Sequence, residues 1–233
     1  MNSTIVITGA NRGLGLCLAN RYLDAGWTVF AGSKMPSPDL LALGKRFPGN
    51  LIEIGLDVTD GKSVSAAVAH IAEGASCIDI LVNNAAVLPA EGRGPLPELA
   101  IDVGLRVFDV NALGPLRVTQ ALLPLLAKSK RKLIANISSE AGSVGDCWRK
   151  DEFLYCMSKS ALNMQTMILK NLLGPQGFEL LAIHPGWMRT EMGGANADID
   201  PKEAAEGIFA LTSHSRAPDA AIFIDYQGKP MRW

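Results

Sequence analysis

The chain has 233 residues, 48% of them hydrophobic and 19% charged, with 22 basic against 23 acidic side chains. This composition suits one compact α/β domain over residues 1–233 and is too apolar for a disordered chain. A formal charge of −1 gives no electrostatic footprint for nucleic acid or an anionic membrane, so neither is expected as a partner.

No window approaches the roughly 18 uninterrupted apolar residues of a bilayer span. The first residues lack the charged flank and long apolar core of a signal peptide, and read instead as a strand. Cys17, Cys77, Cys147 and Cys156 form no CxxC pair, and His70, His184 and His214 are scattered. No metal site is therefore expected. Four reduced thiols in a cytoplasmic protein is the reading adopted.

In chain order, the β-branched run Thr4–Thr8 is bounded by glycine and predicts a buried strand. Leu14, Leu18, Tyr22 and Leu23 recur at helical spacing until Gly26. Trp27–Ala31, Leu51–Leu56 and Ile78–Val82 are further strands, with a helix over Ser63–Ala72 between the last two. Pro97–Ala127 is a long helical stretch with a kink expected at Gly114-Pro115. A strand over Lys132–Ile137 and a helix over Glu152–Leu173 follow, the latter stopped by Gly174-Pro175. Glu179–Ile183, Pro201–Leu211 and Ala221–Asp225 read as strand, helix and strand. Such alternation predicts a doubly wound parallel sheet of about seven strands with helices on both faces, a Rossmann-type fold.

Three segments carry the chemistry. Thr8-Gly9-Ala10-Asn11-Arg12-Gly13-Leu14-Gly15 lies between the first strand and helix. Glycines there permit a tight turn and let a phosphate approach the backbone at a helix N-terminus. Its spacing is Gly-xxx-Gly-x-Gly, not the Gly-x-Gly-xx-Gly fingerprint. Tyr155 and Lys159 stand four apart on a helix and so share a face, where the ammonium is expected to favour phenolate and lower the tyrosine pKa. Ser138-Ser139 ends the fifth strand, and residues at the carboxyl ends of parallel strands line the ligand crevice. Each segment alone also reads blandly, as an ordinary turn, a solvated lysine beside a tyrosine, or a cap.

Taken together they resemble the short-chain dehydrogenase/reductase family over nearly the whole chain. Six features stand in that family's order: Thr8–Gly15, Asn83-Asn84-Ala85, Asn111, Ser138-Ser139, Tyr155-xxx-Lys159, and Pro185-Gly186-xxx-Thr190. The resemblance implies that Tyr155 is the acid/base and that Lys159 holds the nicotinamide ribose. Ser139, with Ser138 as the fallback, would bond the substrate oxygen, and Asn111 would support a water reached by Lys159. It further implies that the cofactor lies against Gly9, Asn11, Arg12, Gly13, Leu14 and Gly15, that Asn83 and Ala85 pack beside the adenosine ribose, and that Asp57 and Val58 meet the adenine. Pro185, Gly186, Met188 and Thr190 would surround the nicotinamide end. The finer likeness is to carbonyl reductases of the C-factor and sniffer type, carried by Thr8–Gly15, Met157–Met164, His184–Gly194 and the tail Asp225–Trp233.

Two departures stand out. The Asn-Asn-Ala-Gly pattern ends here in Ala86, and Ser139 to Tyr155 spans sixteen residues, three more than the commonest family spacing. The inserted loop, Gly145–Asp151, would form part of the substrate mouth. Glu191–Asp200 is expected as a lid, and Trp148, Trp187 and Met192 serve either the pocket or plain packing.

Cofactor choice is set at the end of the second strand. Here Ser33-Lys34 offers a cation and no acid precedes Asp39, while Arg12 is a second cation for a 2′-phosphate. The expectation is NADP(H) over NAD(H), with a small-molecule ketone, aldehyde, quinone or alcohol as substrate. Family precedent for the two long helical stretches implies a homodimer or homotetramer. The competing functions are an alcohol dehydrogenase working oxidatively and a cofactor-binding signalling or interaction protein with little turnover.

Overall fold

The computed structural model describes residues 3–217 and 220–233. Its seven strands are β1 (Thr4–Thr8), β2 (Thr28–Ser33), β3 (Leu51–Gly55), β4 (Ile80–Asn83), β5 (Leu133–Ile137), β6 (Glu179–His184) and β7 (Phe223–Asp225). All neighbours pair in parallel, in the order β3-β2-β1-β4-β5-β6-β7. The helices are α1 (Gly13–Asp24), α2 (Pro38–Arg46), α3 (Gly61–Gly74), α4 (Val103–Phe108), α5 (Gly114–Leu126), α6 (Phe153–Leu173) and α7 (Pro201–Thr212). The doubly wound Rossmann-type sheet expected from the alternation is what forms.

Side chains alternate across each strand, so β1 sends Ile5 and Ile7 to one face and Val6 to the other. The first face packs on α1, α2 and α7 through Leu18, Tyr22, Leu40 and Ile208; the second packs on α3, α5 and α6 through Ile71, Leu122 and Leu169. Each such fully buried aliphatic side chain contributes roughly 1.5–3 kcal/mol of transfer free energy. With both faces covered, the strands read as continuous apolar runs, which is why they were legible. None of the described helices is long and apolar enough to cross a membrane.

Two elements differ from the sequence reading. Helix α2 was not expected, although Ser37 caps it by accepting from the Leu40 N–H at 3.1 Å, Pro38 opens it and Lys45 and Arg46 close it. Only two of its side chains, Leu40 and Leu43, are buried, so the apolar period is too short to see. The stretch Pro97–Ala127 is not one helix. A 3-10 turn at Leu96–Glu98 precedes α4, and a π-turn at Asp109–Leu113 separates α4 from α5. The irregularity thus falls one turn before Gly114-Pro115, and the helix resumes at Gly114 with φ −56°.

The order of strands reverses between β1 and β4. Loops after those two strands therefore diverge and leave a crevice at the carboxyl edge of the sheet. Every candidate site segment lies along that edge.

Candidate active site

The loop after β1 is held in shape by its glycines. Gly9 and Gly13 sit at φ +66° and +53°, the left-handed region that side chains disfavour. A Cβ on Gly15 would lie 2.2 Å from the Gly9 carbonyl oxygen, so only glycine lets α1 start this close beneath the loop. Thr8 and Asn84 fasten the loop to the end of β4. The Thr8 hydroxyl accepts from the Asn84 and Ala85 N–H groups, both at 3.0 Å, and the Asn84 amide donates to the Thr8 and Gly9 carbonyls at 2.9 and 3.1 Å. Arg12 does not cap α1, which leaves the first-turn N–H groups without a side-chain acceptor from the N-cap. Leu14 is buried in the core beneath the loop, so only its backbone is offered to a ligand.

Asn83 holds the end of β4 from within. Its side chain turns into the interior, donating to Thr119 at 3.1 Å and Asn136 at 2.8 Å, and Asn136 donates on to Thr166 at 2.9 Å. That buried polar string ties β4 and β5 to α5 and α6 under the site. The Asn83 side chain is therefore spent in the interior, while Asn84 and Ala85 carry the contacts to the glycine loop.

Across the crevice, β5 delivers the serine pair. Ser138 is committed inward, its hydroxyl donating to Asn163 Oδ1 at 2.6 Å. Ser139, in extended backbone with its hydroxyl accepting the Ala141 N–H at 3.1 Å, stands beside the Tyr155 phenol. The geometry thus brings together Ser139 and Tyr155 and not the fallback serine. Lys159 is 2% exposed and donates to the Ile137 carbonyl at 2.8 Å, with its Nζ 5.7 Å from the centre of the Tyr155 ring.

Burial sets the net balance at the phenol. Burial pushes the Tyr155 phenol up to about 12, against the lowering effects of the Ser139 hydrogen bond and the Arg149 charge. Lys159 is turned to the Ile137 carbonyl. Its own pKa is drawn down to about 8 by burial, because the ammonium has lost its water.

Asn111 sits in the π-turn, fully buried. Its amide accepts from the Val87 N–H at 2.8 Å and donates to the Val87 carbonyl at 2.9 Å and to Ser158 at 3.1 Å. It therefore clamps the loop after β4 to the turn of α6 between Tyr155 and Lys159. Pro115 has no N–H to give the Asn111 carbonyl its ordinary i+4 bond.

At the other end, Ser33 closes β2 with its hydroxyl on the Met35 carbonyl at 3.0 Å. Lys34 pairs with Asp57 at 2.7 Å. Burial pushes the Asp57 carboxyl up, but hydrogen bonds from Lys34 and Thr59 outweigh this and hold it at about 2. Val58 is buried under Gly114. Arg12, expected beside Lys34, instead pairs with Glu191 of the segment after β6.

That segment is folded against the glycine loop. Gly186 sits at φ +82°, Met188 bridges to Ile199, and Arg189 donates to the Ala197 and Asp198 carbonyls at 3.0 and 2.7 Å. Thr190 Cγ2 comes within 3.4 Å of where a Gly13 Cβ would be. Pro185 is buried at the base. A cavity of about 200 Å³ lies between this segment, Ala86–Pro89, Arg93 and Arg106, with Met192 in its wall. Trp148 is 72% exposed and Trp187 52% exposed, so neither is a core residue.

The glycine cradle, the free first-turn donors and Lys34 fit a dinucleotide with its phosphates at α1. The sequence model of the short chain dehydrogenase family matches residues 3–200. The chain belongs to this family. Among relatives of the short-chain dehydrogenases, C-signal of Myxococcus xanthus is 35% identical over 159 residues, 67% of this chain and 93% of that one. The carbonyl reductase Sniffer of D. melanogaster superposes with a TM-score of 0.91 at 29% identity, each chain covered fully. A carbonyl reductase from chicken fatty liver, crystallised with NADPH, gives 0.89 at 31%, again with full coverage of both. The finer likeness to carbonyl reductases agrees with these neighbours.

Several supporting residues escaped the sequence reading. Asn84, Ser158 and Asn163 act by hydrogen bonds across elements, which no local spacing reveals. His184 accepts the Glu140 N–H at 3.1 Å and pins the residue after Ser139 to β6. The doubled Asn-Asn after β4 was the one available signal.

Proposed function

We propose that this short-chain dehydrogenase is an NADP(H)-dependent reductase of a small ketone, aldehyde or quinone, one unit of chain serving both cofactor binding and catalysis. The observation that carries the reading is the Ser139–Tyr155 pair with Lys159 one helical turn away, at the crevice the glycine loop opens into.

Ser139 and Tyr155 together hold the carbonyl oxygen, and Tyr155 gives it a proton. A phenol raised by burial stays protonated at neutral pH, as an acid must. Lys159, turning from the Ile137 carbonyl to the ribose hydroxyls, would bring its charge to the phenol and ease that proton's departure. Asn111 keeps the helix turn that carries both residues in register, and its carbonyl offers a place for a water on the Lys159 side. Lys34 would take the 2′-phosphate. The nicotinamide supplies the hydride in reduction and accepts it in the reverse direction. In the assay that tests this, NADPH oxidation followed against a panel of ketones, aldehydes and quinones shows turnover. Tight NADPH binding with no turnover across the panel would favour a cofactor-gated binding protein instead.

A cytoplasmic homo-oligomer completes the reading. Leu105, Leu113, Met164, Ile168 and Leu172 on α4, the π-turn and α6 are each more than half exposed. Such adjacent apolar faces suit a symmetric contact with a second copy. Sedimentation at micromolar concentration should give a dimer or tetramer, and Ile168→Asp should give a folded monomer. A wild-type monomer would sink this part of the reading.

A further inference from the structure

The sixteen-residue span between Ser139 and Tyr155 is pinned at two places. Its middle is tied to the chain end, with the Gly145 N–H on the Trp233 carbonyl at 2.7 Å and Asp146 paired to Arg232 at 2.8 Å. Its far end folds inward through Arg149. That guanidinium pairs with Glu140, the residue after Ser139, and with Glu152, three residues before Tyr155. All three side chains are largely buried: Arg149 is 20% exposed, Glu140 29% and Glu152 17%.

Glu152 is one of only two non-glycine residues at positive φ among those described, at +56°. It starts α6 without capping it, because its carboxylate is given to Arg149 instead. A left-handed glutamate is unfavourable on its own and persists where surrounding contacts over-determine it. Arg93 stands 3.7 Å from the same carboxylate and donates to the Met192 carbonyl at 3.2 Å, which carries the network to the segment after β6.

We propose that Arg149 is a positioning residue for Tyr155: caught between Glu140 and Glu152, it holds the end of β5 against the first turn of α6 and keeps a positive charge beside the phenol. The inference rests on the reading of Tyr155 as the acid. The charged and titratable groups around the phenol are Arg149 from the inserted loop, Glu140 from the end of β5 and His184 beside it on β6. Glu152, Cys156 and Lys159 come from its own helix, and Arg93 stands behind Glu152. Arg149 favours phenolate; both glutamates oppose it. A forked guanidinium can satisfy two carboxylates at once, which an ammonium cannot do with the same geometry.

The test uses protein labelled with 13C at tyrosine Cζ. There are three tyrosines, and Tyr155→Phe assigns the signal of Tyr155. Arg149→Met should delay the onset of Tyr155 ionisation by about one pH unit, and Glu140→Gln should advance it. Mere loosening of the loop would admit water and advance it in both variants, so opposite signs are diagnostic. Arg149→Lys should restore the titration toward wild type. With NADPH and 9,10-phenanthrenequinone, Arg149→Met and Arg149→Lys should both lose about tenfold or more in kcat with KM for NADPH nearly unchanged, as misplacement of a reacting group does. A Tyr155 titration that is unmoved or advanced in Arg149→Met overturns the proposal. The titration needs no substrate, so failure of wild type to reduce the quinone would count against the reductase reading while the placement of Arg149 is still decided.

Discussion

Tyr155→Phe is expected to cut carbonyl reduction by roughly 10²–10⁴-fold, the range general acid catalysis supplies, while NADPH binding changes by less than about twofold. The substitution deletes one oxygen from a half-buried ring and leaves its packing intact. Ser139 keeps its place, because its hydroxyl also accepts the Ala141 N–H at 3.1 Å. Loss of rate with retained binding would mean that the phenol acts only in the transition state. Equal activity in the variant would remove Tyr155 from the chemistry and move attention to Ser139. The pH profile adds a second check. The phenol, raised to about 12, stays protonated throughout the working range, but Lys159, lowered to about 8 by burial, sheds its charge as pH rises through that value. Reduction should therefore hold below about pH 8 and decline above it, and Lys159→Arg should move the decline upward, since a guanidinium stays charged.

How much of this was readable in advance follows from the kind of interaction involved. The strands were legible because a sheet covered on both faces imposes runs such as Ile5-Val6-Ile7 and Ile80-Leu81-Val82. Tyr155, Lys159 and the glycine loop were legible because helical spacing and a strand–turn–helix context constrain them locally. The π-turn at Asn111 was not, since the residues on either side keep ordinary helical φ and ψ and only the hydrogen-bond register slips. Nor was the inward turn of Asn83, which depends on Asn136 and Thr119 from other elements. The net direction of the Tyr155 shift was hidden for a related reason. Two residues four apart share a face, but burial depth and the carbonyl that claims the lysine belong to tertiary structure. Arg149 lay in the one loop that had no pattern to read.

In the proposed reading, cofactor choice turns on a single exposed lysine. Lys34 follows the last residue of β2, is 72% exposed, and leans on Asp57 at 2.7 Å. Asp57 is ionised at all working pH values, so the pair is neutral and offers a partly engaged cation rather than a free one. A ribose 2′-phosphate, more highly charged than one carboxylate, would compete for that ammonium; a 2′-hydroxyl would not. Removing the lysine costs NADPH a hydrogen bond to a charged group, worth roughly 1.5–3 kcal/mol, or about 10–100-fold in affinity. Lys34→Glu should exceed this, because it sets a second carboxylate beside Asp57 and repels the phosphate directly. NADH, lacking that phosphate, should lose far less, so the ratio of NADPH to NADH affinity should fall by about 100-fold or more. Calorimetric titration of both cofactors into wild type and variant measures it, and the NADPH arm should weaken with added salt in wild type only. Arg12→Met supplies the contrast. Arg12 is engaged with Glu191 on the far side of the glycine loop, so its loss should weaken both cofactors alike and leave the ratio in place. Were the ratio to follow Arg12 and ignore Lys34, the extra phosphate would have to lie on the Glu191 side of the crevice, and the end of β2 would carry no selectivity.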